Sequence, residues 1–119
     1  MYYAQRIPYI TISISNAEFD LATSKCIDNN INLQMFLRFC SIKKVVDVIL
    51  PKYEDIERTM GSKIRQYNIR LQKQEYKDTF KSIFEDINIS ITNYYRFCIF
   101  NDNAFNLILK SYRKFKKEI

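Results

Sequence analysis

The backbone vocabulary of this chain is narrow: its 119 residues include one glycine, Gly61, and two prolines, Pro8 and Pro51. Glycine is the residue that accepts positive φ and lets backbone approach a ligand closely. A chain with only one has no material for Gly-rich phosphate loops, dinucleotide-binding turns or a many-turned β-sandwich. Length favours one domain with one core, and 47% apolar against 27% charged residues is a foldable composition.

Histidine is absent altogether. Ser-His and Cys-His nucleophile pairs, His-ligated zinc and imidazole proton relays are therefore excluded. The three cysteines, Cys26, Cys40 and Cys98, are odd in number, and no two have CxxC spacing. They read as reduced thiols in the core, without a metal or redox role. The adjacent carboxylates Asp55 with Glu57, and Glu85 with Asp86, lie one or two positions apart and do not face each other on a helix. No catalytic residue, metal site or cofactor is expected, and the chain reads as a non-enzyme. Met1–Arg6 carries a single positive charge, and no window approaches the roughly 20 apolar residues of a spanning helix. These features predict a cytoplasmic protein, or one held on the cytosolic face of a membrane by a larger assembly.

Periodicity points to an all-α fold. Ile10, Ile12 and Ile14 alternate with Thr11, Ser13 and Ser15 as in a strand. Without an evident partner strand, that segment is expected to be helical or irregular. Asn16 is a candidate cap for a helix running to about Ile27, and Asp28-Asn29-Asn30 is a turn. A buried helix is expected over 31–50, broken near Ser41 and stopped by Pro51. Ile56, Met60, Ile64, Tyr67 and Leu71 then recur at steps of four, four, three and four, predicting a long helix. A second long helix is expected from an Asp78 cap, with Phe80, Ile83, Ile87, Ile91, Tyr94 and Cys98 on one face. Asn101-Asp102-Asn103 is a turn and cap before a final helix with Phe105, Ile108, Leu109, Tyr112 and Phe115 inward. Tyr94 and Tyr95 are expected to be packed rather than to stack on bases. The architecture so predicted is an N-terminal helical hairpin (1–30), two long antiparallel core helices within 31–100, and a basic C-terminal helix (101–119).

Charge is concentrated at the end of the chain. The net charge is +6, and five of the 19 basic residues (Lys110, Arg113, Lys114, Lys116 and Lys117) fall in the last ten positions beside one acid, Glu118. Lys110, Lys114 and Lys117 share one stripe with Leu107, next to the apolar stripe. Such a face suits an anionic partner, whether nucleic acid, lipid headgroup or polyphosphorylated small molecule. It also suits a solvated helix end favoured by the macrodipole.

Three blocks together resemble an SPX domain, the helical module of eukaryotic phosphate-homeostasis proteins. They are Met1-Tyr2-Tyr3-Ala4-Gln5-Arg6-Ile7, then Asp55-Ile56-Glu57-Arg58 through Lys63-Ile64-Arg65-Gln66-Tyr67-Asn68, and Tyr94-Tyr95-Arg96-Phe97 through Phe100-Asn101-Asp102-Asn103-Ala104-Phe105 to Ile108-Leu109-Lys110. The resemblance implies a regulatory domain that binds inositol polyphosphates or pyrophosphates where the N-terminal hairpin meets the lysine-rich last helix. It also implies an effector as partner, either fused or separate. The family's four lysines on that helix correspond to Leu107, Lys110, Ser111 and Lys114, so two are kept. Its hairpin Tyr and Lys correspond to Leu21 and Lys25. Lys25, Lys110 and Lys114 are therefore the candidate ligands, with Ser111 as a hydrogen-bond donor and Arg113 and Lys117 as partial substitutes. Such a site requires Lys25 to converge with the lysines of the last helix. The alternatives are a small basic bundle that binds nucleic acid through the same tail, and a structural protein-interaction domain with no ionic ligand.

Overall fold

The computed structural model describes residues 7–57 and 63–118, with the side chains of Lys117 and Glu118 left out. The described fold is mainly helical, but it is built around a two-stranded antiparallel sheet. In order, the elements are β1 (Tyr9–Ser15), α1 (Asn16–Asp28), α2 (Leu33–Cys40), α3 (Lys43–Ile49), β2 (Ile64–Arg70), α4 (Gln74–Ile83), α5 (Ile91–Phe100) and α6 (Asp102–Glu118). A single 3₁₀ turn, Leu50–Lys52, follows α3 at Pro51.

The sheet overturns two expectations. The isoleucine alternation of 9–15 is a strand, and its partner is the segment expected to form the second half of a long helix. Ile10 pairs with Ile69, Ile12 with Tyr67 and Ile14 with Arg65. Opposed residues share a face, so Ile10, Ile12, Ile14 and Ile69 all enter the core, and Leu71 follows them just beyond β2. Toward the open end, the same face of β2 carries the half-buried Tyr67 and the exposed Arg65. The ring of Phe19 lies against both, 5.5 Å from the Tyr67 ring and 3.9 Å from the Arg65 guanidinium. The N-terminal unit is thus strand then helix, not a helical hairpin. Of the expected helical stripe, Met60 lies outside the described residues, while Ile64 and Tyr67 are in β2.

A sheet of two strands has exposed edges, and α2 covers part of one. The Gln34 side-chain amide donates to the Asn68 carbonyl at 3.0 Å, and its oxygen accepts the Arg70 N–H at 2.7 Å. One side chain therefore imitates a third strand across two free backbone groups of β2.

The second expected long helix is two helices. α4 ends at Ile83, with Phe84 as its C-cap donating its N–H to the Lys81 carbonyl, and α5 follows a new N-cap, Ser90, which accepts the Asn93 N–H at 3.1 Å. Phe80, Tyr94 and Cys98 are buried as expected, but Ile87 lies exposed in the intervening turn. The break at Ser41 between α2 and α3 matches the sequence reading. The first helix cap is one residue earlier than expected: Ser15 closes a capping box with Glu18. Asn30 takes the left-handed conformation (φ 61°) that Asn tolerates, turning the chain after α1.

Tyr94, Tyr95, Phe97, Phe36 and Phe105 fill the centre, and the Phe80 ring packs at a tilt against both tyrosines. Both core tyrosine hydroxyls are satisfied: Tyr94 donates to the Cys40 carbonyl at 2.7 Å, and Tyr95 pairs with Ser41. Glu18 and Arg96 form a buried ion pair at 2.8 Å, with side chains 4% and 3% exposed. The same guanidinium donates to the carbonyls of Ile56 and Glu57, pinning the segment after the 3₁₀ turn against α1 and α5. All three cysteines are free and buried. Desolvation pushes the Cys26 thiol up to about 11 and raises that of Cys40 well above its ordinary range.

Candidate functional site

Helix α6 is the element that carries the basic face, and local chemistry fixes where it starts. Asn101 ends α5 by donating its N–H to the Phe97 carbonyl, and then caps α6 by accepting the Ala104 N–H on its side chain at 3.0 Å. Asp102 lies in the first turn and the lysines gather in the last turns, which is the order the helix dipole favours. Ala104, Phe105, Ile108 and Leu109 anchor the inner face. Phe105 packs 4.8 Å from Phe36, and Tyr112 lies edge-on to Phe39 at 5.4 Å. The helix therefore sits rigidly against the core through its apolar stripe and turns its basic stripe outward.

The end of α1 meets that stripe. An open groove of about 530 Å³ is lined by Asn29, Asn106, Leu109, Lys110, Arg113 and Lys114. Its α6 residues recur at helical spacing, so they form one wall. Asn29 forms the other, its backbone carbonyl accepting from the Arg113 guanidinium at 3.4 Å. Asn29 is itself held by a 2.8 Å hydrogen bond from its side-chain amide to the Lys25 carbonyl. Among the described residues, no carboxylate lies within ion-pair distance of Lys110, Arg113 or Lys114. Three cations thus share one concave surface with two amide side chains. Such a set can form charge-assisted hydrogen bonds with an oxyanion.

The predicted ligands divide accordingly. Lys110, Lys114 and Arg113 come together in the groove. Ser111 is half-buried, follows Lys110 by about 100° around the helix and does not line the groove. Leu107 is exposed but is likewise outside it. The Lys117 side chain lies outside the described residues. Lys25 does reach α6, but at its first turn. Its ammonium contacts Asp102 Oδ1 at 2.8 Å and the Ile99 carbonyl at 2.8 Å, and lies 4.4 Å from the Phe105 ring centroid. That hydrogen bond and the lysine charge behind it hold the Asp102 carboxyl below its usual range. Lys25 is already neutralised, and it serves α6 as a strut. Sequence reasoning missed Asn29 and Asn106, because an asparagine in a turn cluster or on a helix face has no signature as a groove residue.

No family model matches the chain, and no curated protein or solved structure is significantly similar to it. Among the described residues, no helix is long and apolar enough to cross a membrane.

Proposed function

We propose that this chain is a non-catalytic recognition domain for compact polyphosphorylated ligands, of the inositol polyphosphate or pyrophosphate class, and that it passes the bound state to an effector partner. The observation that carries this reading is the groove in which Lys110, Arg113 and Lys114 converge opposite Asn29 without a counter-charge among the described residues. The SPX-like blocks of the sequence point to the ligand class, but part of the block read as a core helix is β2 and Lys25 is engaged by Asp102 instead of joining the groove, so the reading rests on Lys110, Arg113 and Lys114.

The magnitude follows from exposure. Each solvent-exposed ion pair contributes at most about 1 kcal/mol, so three together supply up to about 3 kcal/mol, at most roughly a hundredfold in affinity. Calorimetric titration with inositol hexakisphosphate at physiological salt should detect binding. A Lys110→Ala, Arg113→Ala, Lys114→Ala variant should lose about that factor while keeping its helical circular dichroism. Equal affinity in the variant, or affinity for inositol hexakisphosphate no higher than for sulfate at matched ionic strength, overturns the proposal. A parallel titration with single-stranded RNA separates the nucleic-acid alternative, in which affinity grows with polymer length and falls steeply with salt.

A further inference from the structure

A second cleft, of about 590 Å³, opens where α2, the start of α4 and the last turns of α6 come together. Met35, Phe39, Ile42, Leu71, Tyr76 and Phe115 supply its apolar walls. Phe39 and Leu71 are buried at its base, whereas Met35, Ile42, Tyr76 and Phe115 are 39%, 40%, 49% and 41% exposed around it. Single exposed apolar side chains are ordinary, but four large ones around one concavity mark a surface built to be covered.

The charge around the cleft is one-sided. Arg38 and Lys43 line it, and among the described residues no acidic side chain does. Lys43 is neutralised by Asp47 at 2.8 Å. Arg38 is half-buried, its guanidinium faces the Met35 sulfur at 3.7 Å, and among the described residues no carboxylate lies within ion-pair distance of it. A guanidinium at the edge of an apolar wall is a specific complement to a carboxylate that arrives with apolar neighbours.

The shape selects the secondary structure of the occupant. The walls are side chains of helices and turns, and Gln34 occupies the adjacent backbone edge of β2, so an added strand has no ladder to join at those groups. At about 30 Å³ per water-sized group, the space takes on the order of 20 heavy atoms, or about three to five large side chains. That is the load of one helix face with anchors one and two turns apart. From these observations we infer that the cleft docks an amphipathic helix of a partner protein. Its large apolar side chains fill the cleft, and a neighbouring Asp or Glu pairs with Arg38.

Selection of helix-length peptides from a displayed random library against the whole chain tests this. The selected peptides should share Leu, Ile or Phe at helical spacing with an acidic residue beside them. A synthesised member, followed by fluorescence anisotropy, should bind Arg38→Glu and Tyr76→Ala variants roughly tenfold more weakly or worse. The same peptide with its acid changed to Lys should recover affinity for Arg38→Glu. Both substitutions are at solvent-accessible positions, and retained circular dichroism and urea midpoints confirm folding. The inference is overturned if no such peptides are selected, if they show no acidic preference, or if Arg38→Glu binds them unchanged. It is equally overturned if sedimentation shows a dimer that Tyr76→Ala dissolves, assigning the face to a second copy, or if decanoate alone occupies the cleft in NMR titration.

Discussion

Replacing Arg96 with Met removes the charge from the most buried ion pair among the described residues and leaves a side chain of similar length. Glu18 is then stranded: its Oε2 loses both the Arg96 Nε bond at 2.9 Å and the ion pair at 2.8 Å, and only the Ser15 N–H at 3.2 Å remains on Oε1. Removing one partner of a buried pair costs about 3–5 kcal/mol, because the surviving charge keeps its desolvation penalty. The carbonyls of Ile56 and Glu57 also lose donors, but Ile56 is half-buried and Glu57 exposed, so water replaces the guanidinium there and adds little. Against a total stability of about 5–15 kcal/mol for a domain, the single substitution removes a large share. Adding Glu18→Gln to Arg96→Met removes the stranded charge while the Gln oxygen keeps the capping bond to Ser15, so the double variant should recover about half or more of the loss. Urea unfolding followed by circular dichroism measures this directly, with an unchanged m-value as the check that the folded state is the same. A loss under about 1 kcal/mol for Arg96→Met, or a double variant no more stable than the single, would refute the claim that desolvated charge dominates this contact.

Asp102→Asn frees the Lys25 ammonium one helical turn from Asn29, and should raise affinity for inositol hexakisphosphate several-fold in calorimetry. The converse substitution, Lys25→Met, should return the Asp102 carboxyl midpoint upward toward its ordinary value in an NMR titration. The sign for stability follows: because the folded carboxyl is depressed, its contribution is present above the unfolded value and is lost as pH falls through the folded one. Gln34→Ala uncovers the Asn68 carbonyl and the Arg70 N–H. Hydrogen exchange at the Arg70 amide should accelerate while global stability falls by only about 1 kcal/mol, since water can reach both groups. All three thiols should resist Ellman's reagent at pH 8 in the native protein and react together in urea, because burial keeps Cys26 and Cys40 protonated and all three sulfurs out of reach.

Local signals in the sequence were legible where one residue type does the work. The Asp28-Asn29-Asn30 turn, the break at Ser41, the stop at Pro51 and the Asn101 cap all rest on side chain–backbone chemistry within a few positions, and all are found in the fold. The sheet was not legible, for a reason visible in β2. Arg65, Tyr67, Ile69 and Leu71 alternate just as Ile10, Ile12 and Ile14 do, but Ile64, Tyr67 and Leu71 also satisfy helical spacing. Two periods fit the same residues, and only the partner strand, about fifty to sixty positions away, decides between them. The long helix expected over 78–98 failed differently. Its apolar stripe continues through Ile87 and Ile91, but Ser90 offers a new cap whose bond to Asn93 costs the preceding turn its helical geometry.

The candidate site marks the same boundary in electrostatic form. Lysine and arginine positions on α6 follow from helical spacing, so the basic stripe could be drawn from sequence. Whether a given cation remains available to a ligand depends on its counter-ion, and that is a long-range property. Lys25 and Lys110 look alike as candidates in the sequence. In the fold Lys25 is bound by a carboxylate 77 positions away, while Lys110 faces a groove with no carboxylate in ion-pair reach among the described residues. A positive cluster counted along the chain therefore overstates the charge a ligand meets by every pair the tertiary structure closes. None of Lys110, Arg113, Lys114 and Lys116 has such a pair among the described residues, and the first three also line one groove, so that convergence, and not the lysine count, carries the functional reading.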